Sequence, residues 1–287
     1  MDPRTLRPRR VASGGGGGGG GGAHAEAAAW KTRVVAAGGT VSDSTLAAVS
    51  TFCAAIDTAG IRAKFLRLNL FAGTGLAAAM QPLYYSTTAG GAAVGASSDT
   101  AVNLVAGDYN ETGASSGVKG AAASSKYINT GLPQSNMLEG DNHLSVYVHL
   151  TNDYQSLMGC DTSGTAYSPS TVYKILDYGV TSYYGGTASI TGTITRTYPT
   201  LLVGTRNGTT TTLYSNGTAG TPSTGTQSVN TSAPYPFYLF GTNVGGTLSQ
   251  VTSNRFNCYS IGLGMNSTQV AAYRDALAAF RTTMGRT

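Results

Sequence analysis

The chain has 287 residues, 41% of them hydrophobic and only 11% charged, with 40 glycines. That length supports one large or two small domains with a real core, and scarce helix formers beside abundant turn formers favour an all-β body. The formal net charge is +5; no apolar stretch reaches the length of a spanning helix, and no collagen, heptad or leucine-rich period is visible.

The positive excess sits at the start, where Arg4, Arg7, Arg9 and Arg10 precede nine consecutive glycines, Gly14 to Gly22. The remainder is close to neutral, which speaks against a nucleic-acid-binding body. No apolar region follows the arginines, so the start does not read as a secretory signal. Polyglycine loses maximal backbone entropy on ordering. Alone, residues 1–29 form a flexible tether; ordered by a partner whose carboxylates meet the arginines, they form an anchor arm. Ala23 to Ala29 is helix-prone but too short to stand alone.

A helix is expected over Ser42–Ala59, capped by Ser42 and stopped at Gly60, with Leu46, Val49, Cys53 and Ile56 at helical spacing. The alternating Phe65–Leu70 segment reads as a strand, and Ala77–Met80 as a short helix ended by Pro82. Residues 30–82 are thus expected to be a helix-strand connector packed on the body. From Leu83 onward, short apolar or alternating runs predict strands. These are Lys126–Asn129, Leu144–Leu150, Val172–Ile175, Ser189–Arg196, Thr200–Val203, Thr210–Tyr214, Pro236–Phe240 and Cys258–Leu263. Asn207-Gly208 and Asn216-Gly217 are strong hairpin turns. About eight to ten strands at this spacing make a mainly β fold, a jelly-roll β-sandwich over 83–287. A closing helix over Ser267–Met284 has Val270, Tyr273, Leu277, Phe280 and Met284 on one face.

Chemistry-bearing motifs are sparse. Leu70-Phe71-Ala72-Gly73-Thr74-Gly75 imitates a dinucleotide fingerprint, but no βαβ unit follows. Gly113-Ala114-Ser115-Ser116-Gly117 matches a nucleophile elbow formally, in loop-like sequence. Glu26, Glu111 and Glu139 are the only glutamates, and no paired-carboxylate strand of a glycosidase is present. Strand alternation places His143, Ser145, Tyr147 and His149 on one face, read as the polar side of a sheet. The two histidines lie about 20 Å apart along such a strand, too far to share a metal. Asp141 and Asp153 leave a loop calcium site open without the usual ligand spacing. Cys53, Cys160 and Cys258 suggest free thiols, not a disulfide framework or zinc spacing. No metal and no cofactor are expected.

Seventeen tyrosines stand against seven phenylalanines and one tryptophan. Tyr84, Tyr85, Tyr178, Tyr183 and Tyr184, set among Gly, Ser, Thr and Asn, are candidate glycan contacts, because tyrosine offers rigid area with a polar tip.

Three segments carry a resemblance. They are Trp30-Lys31-Thr32-Arg33-Val34 with its helix and the Phe65–Phe71 strand, Lys126-Tyr127-Ile128-Asn129-Thr130-Gly131-Leu132, and Tyr259-Ser260-Ile261-Gly262-Leu263-Gly264-Met265 with the final helix. Together, over residues 30–287, the chain resembles the concanavalin A/laminin-G-like jelly-roll proteins of tailed-phage structural regions. The resemblance implies a virion-surface protein, a head fibre, decoration protein or tail fibre, with homotrimeric assembly. It implies capsid or tail proteins as partners of Arg4, Arg7, Arg9 and Arg10, and a host surface glycan as ligand. No nucleic acid, membrane insertion or enzymatic activity is expected. The alternatives are an architectural cementing protein without ligand and a glycan-cleaving enzyme on the same fold.

Overall fold

The computed structural model describes residues 22–138, 140–149, 155–162, 172–178, 180–186, 191–194, 198–225 and 234–286. Its helices are α1 (Ala25–Ala36), α2 (Asp43–Thr58), α3 (Leu76–Ala79) and α4 (Ser267–Thr283). The strands begin with β1 (Phe65–Asn69), β2 (Thr100–Val102), β3 (Tyr109–Asn110), β4 (Gly117–Lys119), β5 (Tyr127–Pro133) and β6 (Asp141–Val148). There follow β7 (Ser156–Asp161), β8 (Val172–Tyr178), β9 (Val180–Gly186), β10 (Thr191–Ile194), β11 (Thr200–Asn207) and β12 (Thr210–Ser215). The last are β13 (Thr218–Ala219), β14 (Ser223–Thr224), β15 (Pro236–Leu239), β16 (Gly241–Val244), β17 (Thr247–Ser249) and β18 (Arg255–Gly262).

The strands build two nine-stranded sheets. The first runs β13-β12-β11-β6-β18-β4-β3, with β1 also on β18 and β14 on β12. The second runs β10-β9-β8-β7-β15-β5-β2, and β16 joins β7 in parallel while pairing β17. All other ladders are antiparallel, so the fold is a mainly β sandwich with helices from both ends of the described chain. More strands form than the eight to ten expected, because short Thr- and Ser-containing pieces such as β13, β14 and β17 pair without an apolar pattern of their own. The segment over 30–82 does more than connect: its β1 is hydrogen-bonded into the first sheet through β18.

Two apolar layers hold the molecule together. Between the sheets, Leu144, Val146 and Val148 of β6 and Phe256 and Ile261 of β18 meet Ile128, Leu157, Ile175, Phe237 and Leu239. Outside the first sheet, Tyr147, Leu201, Val203 and Cys258 pack under Trp30, Val34, Phe52, Ile56, Tyr273 and Phe280 of α1, α2 and α4. The result is three layers, helices on sheet on sheet. This corrects the reading of the His143, Ser145 and Tyr147 face as a polar surface. His143 and Ser145 are fully buried, because the helix layer covers that face. They close a network in which His143 Nε2 meets Ser260 Oγ at 2.8 Å and Ser145 Oγ meets Ser260 Oγ at 2.6 Å.

The two Asn-Gly turns behave as expected. Asn207 pairs Thr210 across the β11–β12 turn, where Gly208 is at positive φ, and Ser215 pairs Thr218 across Asn216-Gly217, where both central residues are at positive φ, the geometry a tight two-residue hairpin favours.

Candidate functional site

The two motifs set aside in the sequence are used structurally. At the glycine-rich turn, Gly73 N–H donates to Glu111 Oε1 at 3.0 Å, and Thr45 Oγ1 donates to the same oxygen at 2.8 Å. A carboxylate of the chain itself occupies the place a phosphate would take. The serine at the nucleophile place of that match, Ser115, is exposed in a turn that leads into strand β4 and not into a helix, so the strand-to-helix elbow is not formed; its neighbour Ser116 is fully buried and accepts from Asn257 Nδ2 at 2.7 Å. Asp141 Oδ1 accepts from Gly264 N–H at 2.7 Å; Glu139 and Asp153 lie outside the described residues.

A cavity of about 220 Å³ opens between α1 and the turn that follows Leu83. Its wall is Glu26, Ala29 and Arg33 from one face of α1, Arg62 from the turn before β1, and Tyr85, Ser86, Gly90 and Gly91 opposite. The far wall is a narrow loop: Ser86 pairs with Ala93, and Val94 N–H reaches Tyr85 O at 2.7 Å. Its tip closes by Gly91 N–H to Thr88 O at 2.9 Å.

Two cations define the chemistry of this cavity. The Arg33 guanidinium lies 4.7 Å from the Tyr85 ring centroid, while its Nη2 donates to Pro82 O and Leu83 O at 2.9 and 3.1 Å. Burial lowers its pKa, against the neighbouring Tyr85 and Glu26, which favour the charge. No carboxylate makes an ion pair with Arg33 among the described residues. Arg62 is fully engaged: Nε donates to Glu26 Oε1 at 2.7 Å, Nη1 to Phe65 O and Ser86 O, and Nη2 to Ser86 Oγ at 3.3 Å. With Glu26 and Arg62 cancelling, the wall carries one uncompensated positive charge beside an aromatic face.

Of the candidate contacts read from the sequence, Tyr85 alone lines this cavity, half-buried. Tyr84 is corrected. It is 1% exposed, with the Arg62 guanidinium 3.8 Å over its ring, and burial drives its pKa up. Strand alternation turns adjacent residues to opposite sides, so a Tyr-Tyr pair offers only one ring to a ligand. Tyr178, Tyr183 and Tyr184 lie on β8 and β9, remote in the topology from α1; their side chains are outside the described set. Arg4, Arg7, Arg9 and Arg10 also lie outside the described residues. Glu26, Arg33 and Arg62 were missed, because three separated segments assemble the wall and no motif spacing links them.

Beneath the cavity, Cys53 of α2 is fully buried, which pushes its thiol up to about 12. His24, the N-cap of α1, accepts from Glu26 N–H through Nδ1 at 3.3 Å and meets Asp57 Oδ2 through Nε2 at 2.9 Å. All three cysteines are free and buried.

No protein-family profile matches the chain, and no curated protein sequence does. Solved structures with a similar fold include NanB sialidase from Streptococcus pneumoniae, 14% identical with a TM-score of 0.40, covering 54% of this chain and 27% of that one. A mutant Trypanosoma rangeli sialidase displaying trans-sialidase activity is 11% identical, with a TM-score of 0.49 over 83% of this chain and 39% of that one. The Ruminococcus gnavus IT-sialidase CBM40 bound to α2,3 sialyllactose is 14% identical, with a TM-score of 0.38 over 54% of this chain and 91% of that one. The chain spans about a quarter of the NanB chain. These similarities are of architecture, and no residue role passes from them to this chain. The expectation of a chain without enzymatic activity is corrected on the finding that sialidases stand among these structures, and it is withdrawn.

Proposed function

We propose that this protein is a glycan-adhesion protein displayed on a phage virion, and that it takes an anionic sugar into the cavity between α1 and the Tyr85 loop. The observation that carries the reading is Arg33 stacked on Tyr85 at the mouth of that cavity, without an ion-pair partner among the described residues. A sugar ring places its C–H face on an aromatic side chain and its hydroxyls on polar neighbours. Here Tyr85 is the platform and Ser86 is a hydroxyl neighbour. The uncompensated guanidinium selects a sugar bearing a carboxylate or sulfate, through charge-assisted hydrogen bonds.

The virion part of the proposal rests on the sequence. A short arm with Arg4, Arg7, Arg9 and Arg10 ahead of polyglycine suits docking into acidic grooves of capsid or tail proteins, with the sandwich held outside as a homotrimer on the virion surface.

The test is a glycan array probed with the full chain, beside Arg33→Ala and Tyr85→Ala. Acidic glycans should bind the unaltered chain, and each variant should bind about 10-fold or more weakly, the worth of one charge-assisted contact. An array without hits would favour the cementing role, and hits untouched by both substitutions would remove the cavity from the site. Incubating the bound glycans with the protein and following sugar release reads enzymatic activity directly. Particles assembled with residues 1–22 deleted should lack the protein; normal incorporation would remove the arm from its anchoring role.

A further inference from the structure

His24 and Glu26 flank the start of α1, and Cys53 lies in the second half of α2, yet the fold gathers all three. One ring nitrogen, one carboxylate oxygen and Sγ lie within 4.8 Å of one another. The surroundings are unusual in four ways. Asp57 Oδ2 sits 2.9 Å from His24 Nε2, which places the ring proton there and leaves the lone pair on Nδ1. That lone pair is held only by a long 3.3 Å contact from Glu26 N–H. Glu26 Oε1 is taken by Arg62, while its Oε2 is buried with no hydrogen-bond partner. Finally, Tyr84 Oη, beside the Cys53 thiol, is buried without a well-formed hydrogen bond.

Orphaned buried polar atoms are costly, and here Glu26 and Tyr84 each bring one to the neighbourhood of a fully buried thiol. We infer that His24, Glu26 and Cys53 form a binding site for a divalent transition metal of the Zn²⁺ class. The donor set of one nitrogen, one oxygen and one sulfur suits a borderline ion, whereas Ca²⁺ and Mg²⁺ take oxygen ligands. Tetrahedral coordination sets donors about 3.5 Å apart, so the three side chains close by about 1 Å, with water as the fourth ligand. The thiol proton leaves to solvent as the metal–sulfur bond forms.

Each oddity then has a role. Oε2 ligates while Oε1 stays on Arg62. Asp57 orients His24 in the carboxylate–histidine–metal arrangement. The Tyr84 hydroxyl donates to the thiolate sulfur. Carboxylate and thiolate together balance the charge of the ion. The inference is independent of glycan binding, although Glu26 also borders that cavity.

The experiment takes the full-length, tag-free chain, strips it with EDTA, and titrates it with Co²⁺ and then Zn²⁺. A cobalt–thiolate charge-transfer band should rise to saturation at one ion per chain and be bleached by Zn²⁺. The band should vanish in Cys53→Ser. His24→Ala, at a partly exposed cap and expected to fold, should bind Co²⁺ about 100-fold more weakly, and Asp57→Asn about 10-fold. No band in the unaltered chain, a band that survives in Cys53→Ser, or undiminished Co²⁺ affinity in folded His24→Ala would overturn the site. Should Cys53→Ser fail to fold, His24→Ala decides.

Discussion

Arg67 and Asp99 meet with neither side chain exposed to solvent. Arg67 Nε and Nη2 both donate to Asp99 Oδ1, at 2.9 and 2.7 Å, while Asn69 Nδ2 donates to Oδ2 and Tyr259 Oη to Oδ1. Burial opposes the charge on Arg67, but Asp99 and Tyr259 outweigh it and raise its pKa. Taking away one partner strands the other, so Asp99→Ala should cost about 3–5 kcal/mol in urea unfolding; a loss within 1 kcal/mol would show that the pair is replaceable. His143 gives the pH dependence. Burial lowers its pKa from 6.5 to about 4, against the Leu263 carbonyl, which favours the proton. The folded state therefore refuses a proton that the unfolded chain accepts, so stability is full above about pH 6.5 and falls as the pH drops towards 4. The 2.5-unit gap corresponds to about 3 kcal/mol. His149 shifts in the same direction through burial, so His143→Gln should flatten most of the slope between those pH values, not all of it. An unchanged slope in that variant would assign the acid sensitivity to other groups.

At the scale of elements, α2 and α4 were readable because each carries its own start and stop. Ser42 Oγ accepts from Thr45 N–H at 3.1 Å, and Asn266 with Gln269 forms a reciprocal capping box. After α2, Gly60 at φ +65 lets its N–H reach Asp57 O and that of Ile61 reach Ile56 O, which satisfies the last carbonyls. A side chain at Gly60 would meet open space, so Gly60→Ala should cost only the left-handed backbone penalty, about 1–2 kcal/mol by thermal unfolding. A cost near zero would mean that the end of α2 refolds freely around the substitution. Helix α1 was not legible. Its Ala-rich start is too short alone, and it persists to Ala36 because Trp30 and Val34 are buried against the sheet and α2. Strands β7 and β16 were equally silent: buried on both faces or rich in Gly and Thr, they show no alternation, and their neighbours alone define them. Tyr85 could be read as a surface tyrosine from composition, whereas Glu26, Arg33 and Arg62 became a wall only through the packing of α1 on the turn before β1.

For the molecule as a whole, the sequence carried the sandwich through its hairpin turns and helices α2 and α4 that pack on it, but not which sheet face the helix layer covers, since a helix-covered face and a wet one share the same alternation until the cover is known. What ties that layer to the sandwich is Arg286, 2% exposed and directed inward by the turn that ends α4, where its own N–H reaches Arg281 O at 2.9 Å. Its guanidinium donates Nε to Glu111 O at 2.8 Å, Nη1 to Leu70 O at 2.8 Å and Nη2 to Phe71 O at 2.7 Å. One side chain thus joins the end of α4, the exit of β1 and the loop carrying Glu111, which itself holds the glycine turn before α3. Arg286→Ala would take this donor from carbonyls in two segments, Leu70 and Phe71 in one and Glu111 in the other, with Tyr109 Oη still donating to Phe71 O, a loss of about 3 kcal/mol and about 6–12 °C in Tm for a body of this size. Lysine at this position offers one ammonium in place of a planar fork, so Arg286→Lys should recover only part of that loss. Because the contacts span layers, far- and near-ultraviolet circular dichroism should report the same lowered midpoint in Arg286→Ala. Midpoints that separate would show the helix layer melting ahead of the sandwich, and an unshifted Tm would show that the layers are held together by the apolar contacts of Phe52, Tyr273 and Phe280 alone.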